Sequence, residues 1–243
     1  MSAVLSETAE HSAAACRFRS DEFVRVWGEE RLRQFAEEVP QGREAEMDVR
    51  AARVLARLRG FPAPGPEERW DDADAVRRST PGEVATILNH YASAFVRLTP
   101  VPPEIGPLLE LLAGSYRLAI LSNWPLALAI DRFVENAGWR PYLLAVVVSQ
   151  RVGAIKPRPE IFEVAASELA VASGPAILHV GDDLGADVAG AHAVGWRAAL
   201  VRMKPEDSTL PVARRSGDET PDLAIDHVTD LPRALGLHRP RVS

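Results

Sequence analysis

Hydrophobic residues recur at helical spacing through the first 95 or so positions of the chain. One stripe follows the i, i+3, i+4, i+7 rule and comprises Ala51, Val54, Leu55 and Leu58. A second stripe comprises Val84, Ile87, Leu88, Tyr91 and Phe95. Gly60 follows the first stripe as a helix stop, and Thr80-Pro81 before the second is typical of a helix start. The pattern predicts an α-helical subdomain at residues 1–98, within which His90 fits a surface position better than a ligand position.

The pattern changes after Leu98, where short β-rich runs begin to alternate with helical segments. The predicted strands are 117–121, 143–148, 176–180 and 198–201, with an edge strand at 223–225. The predicted helices are 104–112, 126–137, 160–169, 186–194 and 231–235, and residues 202–221 form a predicted surface loop. Strands that alternate with helices form right-handed βαβ units and a parallel sheet. We therefore expect a doubly wound α/β core at residues 99–243.

Composition and charge narrow the class of protein. The chain has 243 residues, of which 47% are hydrophobic and 26% charged, as in ordinary globular proteins. A net charge of -6 gives nucleic-acid binding no electrostatic support. No run approaches the roughly 20 apolar residues of a membrane span. A single cysteine, Cys16, excludes an intramolecular disulfide and fits a reducing cytoplasm. The oligomeric state is left open.

Polar side chains follow three of the predicted strands. Ser122 and Asn123 come after the first strand, Lys156 comes after the second, and an acidic turn follows the third. The carboxyl ends of parallel strands are where open α/β sheets bind ligands. Ser122 with nearby backbone N–H groups would make an anion cradle, although taken alone the Ser-Asn pair is better explained as a turn or a helix cap. Lys156 is one of only two lysines and stands in a proline-stiffened turn.

The acidic turn contains Asp182, Asp183 and Asp187. Clustered carboxylates repel one another unless a cation or proton joins them, and an oxygen-seeking ion such as Mg²⁺ suits them. Asp187 by itself is better explained as a helix N-terminal acid, which the helix dipole favours. As a group, the three residues predict a metal site.

Together these segments resemble the haloacid dehalogenase-like hydrolase superfamily, from about Pro100 to Leu235, with the helical first part at the place of the family's helical cap. The resemblance implies that Ser122 hydrogen-bonds a transferring phosphoryl group, with Asn123 beside it in the substrate site. Lys156 would offset charge on the phosphoryl oxygens. Asp182 would bind Mg²⁺ with Asp187 in support, and Asp183 is a further candidate ligand.

The first family motif, Asp-x-Asp-Gly-Thr, is absent from this sequence. In the family its strand lies between the strand that ends at Ser122 and the one that ends at Gly181, and its first Asp forms an aspartyl-phosphate. Removing a central strand leaves unpaired backbone groups on both flanks. Ser2–Leu5 is a candidate stub of such a strand, but a short one. A chain that starts downstream of its true beginning explains the absence better than a relative without a nucleophile.

Three functions are compatible with these residues. The leading one is a Mg²⁺-dependent phosphatase of a small phosphorylated metabolite, because Asp182 and Asp187 supply metal ligands that halide displacement does not need. The alternatives are a 2-haloacid dehalogenase-type hydrolase and a catalytically inactive homologue that binds phosphate or a partner. Without the nucleophile, we expect the chain as printed to have negligible phosphatase activity. The cap would select the substrate, and periodicity does not reveal which of its side chains face the cleft.

Overall fold

The computed structural model describes residues 2–65, 68–202 and 219–237. The chain divides into two compact units. The first contains Met1–Pro100 with Asn123–Asn136 and Val148–Gly153, and the second contains Val101–Ser122, Ala137–Val147 and Ala154–Ser243. The predicted domain boundary at residue 98 lies two residues before Pro100, where the first stretch of the first unit ends. Two stretches from the predicted core also cluster with the helices of the first unit.

The first unit is helical. Its helices are α1 (Ser2–Cys16), α2 (Ser20–Glu38), α3 (Met47–Leu58), α4 (Asp72–Arg77) and α5 (Pro81–Leu98), followed later in the chain by α7 (Ala127–Asn136) and α8 (Ser149–Val152). Phe23, Val54 and Ile87 are completely buried in its core. The apolar stripes of the sequence therefore predict correctly which helix faces are buried.

Local signals explain where these helices begin and end. Thr80 and Glu83 form a capping box at the start of α5, in which each side chain accepts a hydrogen bond from the other residue's backbone N–H. Gly60 lies just beyond α3 with a φ of +85°, a backbone conformation that favours glycine. Ser2–Leu5 lies in α1 and is not a strand, which corrects the idea of a strand stub. Val4 is buried in the helical core, and this packing favours the helix.

The second unit contains strands and helices in alternation. Its elements are α6 (Ile105–Ala113), β1 (Ala119–Ser122), β2 (Ala145–Val148), α9 (Pro159–Glu168), β3 (Leu178–Gly181), α10 (Ala189–Ala193), β4 (Arg197–Val201), β5 (Leu223–Ile225) and α11 (Leu231–Ala234). β3, β4 and β5 are parallel, with Gly181 opposite Leu200 and Leu200 opposite Ala224. The predicted α/β fold with parallel strands and a helical first part is confirmed. Residues 203–218 of the predicted loop lie outside the described residues.

The sheet of the second unit is in two parts. β1 pairs with β2, whereas β3, β4 and β5 form a separate group, and within the described ranges no strand joins β1 to β3. Every residue of β1 is partly exposed, as are Leu178 and Val180 of β3. The break lies between the strand that ends at Ser122 and the strand that ends at Gly181. In the part of the chain that the structure describes, no helix is long and apolar enough to cross a membrane.

Candidate active site

Asp187 is the centre of the acidic turn. Its side chain is almost completely buried, and four donors surround its carboxylate. Oδ2 accepts hydrogen bonds from the backbone N–H groups of Asp182 and Asp183, each at 3.0 Å. Oδ1 accepts from Lys156 Nζ at 2.6 Å and lies 2.8 Å from His179 Nε2. One carboxylate thus fixes the backbone of the turn, the lysine and the histidine together.

The local sequence explains this geometry. A Cβ atom on Gly181 would lie 2.2 Å from the Asp187 carboxylate, so only glycine allows the close approach. Asp183 accepts hydrogen bonds from the N–H groups of Gly185 at 2.7 Å and Ala186 at 2.8 Å. It thereby caps a π-helical turn, Leu184–Val188, which precedes α10. The prediction of a single helix over 186–194 is corrected to a π-helical turn followed by the short helix α10. The wide turn lets the Asp187 carboxylate accept hydrogen bonds from the backbone amides of the acidic turn.

Lys156 connects the acidic turn to the end of β1. Its Nζ atom donates to the carbonyl oxygen of Leu121 at 3.2 Å as well as to Asp187. Leu121 directly precedes Ser122, the last residue of β1. The structure therefore brings Lys156, Asp187 and the strand end that carries Ser122 to one place in the second unit. Asn123, the next residue, belongs to the first unit.

Burial and neighbouring charges shift the pKa values of Asp187 and Asp182 in opposite directions. Burial works against ionisation of Asp187, but the His179 hydrogen bond and the Lys156 charge outweigh it and hold the pKa of this carboxyl well below its usual range. Burial, followed by the negative charge of Asp187, raises the pKa of Asp182. A cation near Asp182 would offset the second of these causes. The surroundings therefore favour the ionised form of Asp187 and oppose the ionised form of Asp182.

These contacts bear on how Mg²⁺ would fit. Asp187 already has four donors, and Asp183 Oδ1 holds the two capping amides. No described side chain donates to the carboxylate of Asp182, and this residue is exposed. Over the described ranges no group of three or more His, Cys, Asp or Glu side chains is arranged around a metal position. Mg²⁺ commonly uses one or two protein carboxylates and keeps several waters, so a site based on Asp182 fits its chemistry. Metal binding by Asp182, Asp183 and Asp187 stays a prediction.

Sequence reasoning missed His179, the partner of Asp187 on β3. Its side chain is buried, its ring meets that of Phe162 edge to face, and burial lowers its pKa despite the hydrogen bond to Asp187. A neutral ring that donates from Nε2 to the carboxylate fits this environment. A signal was available: His179 is the one polar side chain in the apolar run from Ala176 to Val180. It precedes the acidic turn by three residues.

Comparison with known proteins identifies the family. The model of the haloacid dehalogenase-like hydrolases matches residues 11–195. A glyceraldehyde 3-phosphate phosphatase of Methanopyrus kandleri is 29% identical over 149 residues, which are 60% of this chain and 61% of the relative. A ribulose-1,5-bisphosphate 5-phosphatase of Halopiger xanaduensis is 30% identical over 62% of this chain and 63% of the relative. The chain thus spans somewhat less than two thirds of the length of these curated relatives.

Solved structures share the fold. A 2-haloacid dehalogenase from Pseudomonas syringae is similar with a TM-score of 0.62 at 20% identity, over 96% of this chain and 91% of that one. A phosphatase of the same family from Thermococcus onnurineus has a TM-score of 0.55 at 21% identity, over 97% of this chain and 90% of that one. At these identities the likeness concerns the fold alone. Since the family model covers most of the sequence, the chain belongs to the haloacid dehalogenase-like hydrolases.

Proposed function

We propose that the second unit is the phosphoryl-binding part of a Mg²⁺-dependent phosphatase that acts on a small phosphorylated metabolite. The observation that carries the proposal is the position of Lys156, whose Nζ atom bonds both to the end of β1 and to the acidic turn. A cation fixed between a serine-bearing strand end and a group of carboxylates suits a reaction in which negative charge accumulates on phosphoryl oxygens. The phosphatases among the relatives support the same class of substrate.

Each residue has a separate role in this proposal. Ser122 donates its hydroxyl hydrogen to a phosphoryl oxygen, whereas a role of Asn123 in substrate binding stays a prediction from the sequence, because this residue belongs to the first unit. Lys156 offsets the charge on the phosphoryl group, while Asp187 holds the ammonium group in place. Asp182 is the main metal ligand, with Asp187 supporting the turn and Asp183 capping the helix behind it. When bound, Mg²⁺ would supply Lewis-acid stabilisation of phosphoryl oxygen charge.

The sequence contains no Asp-x-Asp-Gly-Thr, so the proposal treats the nucleophile as a separate question. The break in the sheet between β1 and β3 supports the view that a strand bearing this motif would complete the site. A cytoplasmic location stays an expectation from the cysteine content. The oligomeric state remains outside the proposal.

The first experiment compares the printed chain with a chain extended into the in-frame coding sequence upstream of Met1. We expect the printed chain to release negligible phosphate from an aryl phosphate in the presence of Mg²⁺. The extended chain should turn over if the upstream sequence encodes the missing motif. Turnover by the printed chain that Asp182→Asn abolishes would contradict the expected inactivity.

Variants of the extended chain test the roles directly. Lys156→Ala should lower kcat/KM by about 100-fold or more, because the charge stabilisation is lost. Lys204→Ala is the matched control, since Lys204 is the other lysine of the chain and the proposal gives it no role. Equal activity of the two variants would overturn the role of Lys156.

Two outcomes would favour the alternatives. Halide release from a 2-haloacid without Mg²⁺, with no phosphate release, would indicate the dehalogenase reaction. A stop codon directly before Met1 would make an inactive, phosphate- or partner-binding homologue the leading hypothesis. In that case inorganic phosphate should still protect the second unit against unfolding, and Lys156→Ala should abolish the protection.

A further inference from the structure

Two histidines lie side by side on two helices of the first unit that carry none of the residues proposed for phosphatase chemistry. His11 belongs to α1 and His90 to α5. Their ring centroids are 5.8 Å apart, and the ring planes are tilted by 55°. His11 is exposed and His90 is partly exposed, so a solvated ion can reach the pair.

Each ring has one nitrogen fixed by a hydrogen bond. Nδ1 of His11 lies 2.8 Å from the carbonyl oxygen of Glu7, to which it can only donate. Nδ1 of His90 lies 2.9 Å from Oγ of Ser12, a completely buried residue. Histidines that bind metals usually engage their second nitrogen in this way, because the bond orients the ring and sets the tautomer. In both rings Nε2 is then the nitrogen that is left for a ligand.

From this arrangement we infer that His11 and His90 form a binding site for a borderline divalent transition metal such as Zn²⁺ or Cu²⁺. Two imidazoles that bind one such ion at about 2.1 Å have ring centroids roughly 5–6 Å apart, which agrees with the observed spacing. Imidazole nitrogen prefers Zn²⁺, Cu²⁺ and Ni²⁺, whereas Mg²⁺ prefers oxygen. The pair therefore differs in selectivity from the acidic turn of the second unit.

The surroundings limit the site to two protein ligands. The Glu7 carboxylate forms an ion pair with Arg97 and so is engaged elsewhere. No third His, Cys, Asp or Glu of the described ranges completes a cluster with the pair. Water would fill the remaining coordination positions of a bound ion. A bound ion would link α1 to α5, so it would stabilise the helical unit as well as bind to it.

The test uses protein without a polyhistidine tag, titrated with Cu²⁺ and Zn²⁺ and followed by calorimetry, electron paramagnetic resonance and thermal unfolding. We expect one equivalent of Cu²⁺ with nitrogen hyperfine structure from two imidazoles, and a rise in Tm with Zn²⁺. His11→Gln and His90→Gln should each weaken binding by about tenfold or more and remove the rise in Tm. Mg²⁺ should produce neither signal.

The matched control is His192→Gln in the second unit. His192 is a partly exposed histidine that already bonds to Asp222, with Nε2 to Oδ2 at 3.0 Å. This variant should keep both the Cu²⁺ signal and the Zn²⁺ shift. Because His11 is exposed, its variant should fold, and circular dichroism verifies this for each protein. Binding that survives in both His11→Gln and His90→Gln, or is lost in His192→Gln, would overturn the inference.

Discussion

The core of the helical unit and the first strand of the α/β unit differ in how completely they bury their apolar residues. In the helical unit, Phe23, Val54 and Ile87 are inaccessible to solvent. In the α/β unit every residue of β1 is partly exposed, and β1 and β3 are not joined through the described residues. Apolar burial is the main source of folding stability. We therefore expect side chains of β1 to contribute less to folding stability than the side chains of the helical core, and over the described ranges β1 and β3 each have an edge that no strand covers.

Buried charge is also handled differently in the two units. Arg53 of the helical unit is 2% exposed and pairs with both Glu37 at 2.8 Å and Asp72 at 2.7 Å. In the α/β unit the arrangement is reversed, because the single carboxylate of Asp187 receives Lys156, His179 and two amides. Both arrangements give the buried charged group partners of opposite charge. Beside the second arrangement lies the exposed carboxylate of Asp182, which does not take part in it through its side chain.

The difference in burial predicts a large difference between two identical substitutions. Ile87→Ala should lower the free energy of unfolding by about 2–5 kcal/mol, because it leaves a cavity in a closed core. Ile120→Ala, in the partly exposed β1, should cost less than about half as much. Urea unfolding followed by circular dichroism measures both. Equal losses would mean that β1 is as well packed as the helical core.

The Asp187 network should be the most sensitive point of the α/β unit. Asp187→Asn should cost about 3 kcal/mol at pH 7, because Lys156 loses its buried charged partner. The pKa of this carboxyl is lowered by folding, so its stabilisation is present above the unfolded pKa of about 3.9 and is lost as the pH falls further. The difference between wild type and variant should therefore shrink below pH 4.

An exposed aspartate provides the control for that experiment. Asp226 forms a surface ion pair with Arg202, and its side chain is 82% exposed. Asp226→Asn should change stability by less than about 1 kcal/mol at every pH. If Asp187→Asn behaves in the same way, the network contributes little to the stability of the second unit.

The sequence predicted the helices and strands of the fold better than it predicted the side-chain contacts of the candidate site. The capping box at Thr80 and the helix end at Gly60 depend on contacts within a few residues, so the local sequence is enough to predict them. The bond between Lys156 and Asp187 joins residues 31 apart and depends on the tertiary structure. His179 was missed for the same reason, since its role arises only once β3 places it against Asp187. The π-helical turn at Leu184–Val188 also depends on that carboxylate.

A smaller effect should appear at the start of α3 in the helical unit. Burial, followed by the neighbouring charges of Asp48 and Glu44, raises the pKa of Glu46 to about 7. Because folding raises this pKa, the stabilisation from the protonated form is complete below pH 4.5 and is lost as the pH rises through 7. Glu46→Gln should thus stabilise the protein by about 1 kcal/mol at pH 8, after allowance for solvent screening, and have little effect at pH 4.

Unfolding curves at pH 4 and pH 8 measure this difference. Glu10→Gln, on an exposed face of α1, is the matched substitution and should show no comparable gain at pH 8. A stabilisation by Glu46→Gln that is equal at both pH values would show that its carboxyl does not titrate near neutral pH. Folding would then not oppose the ionisation of the Glu46 carboxyl group.

The smallest predicted effect concerns the cap of α5. Thr80→Ala should lower the free energy of unfolding by about 1 kcal/mol, because it removes the acceptor for the Glu83 N–H and breaks the capping box. Thr86→Ala is the control within the same helix, where the hydroxyl only donates to the carbonyl of Gly82. Alanine is the better helix former there, so that variant should be neutral or slightly stabilising. If both substitutions lowered the free energy of unfolding equally, the capping box would contribute no stability beyond that of an ordinary threonine in the helix.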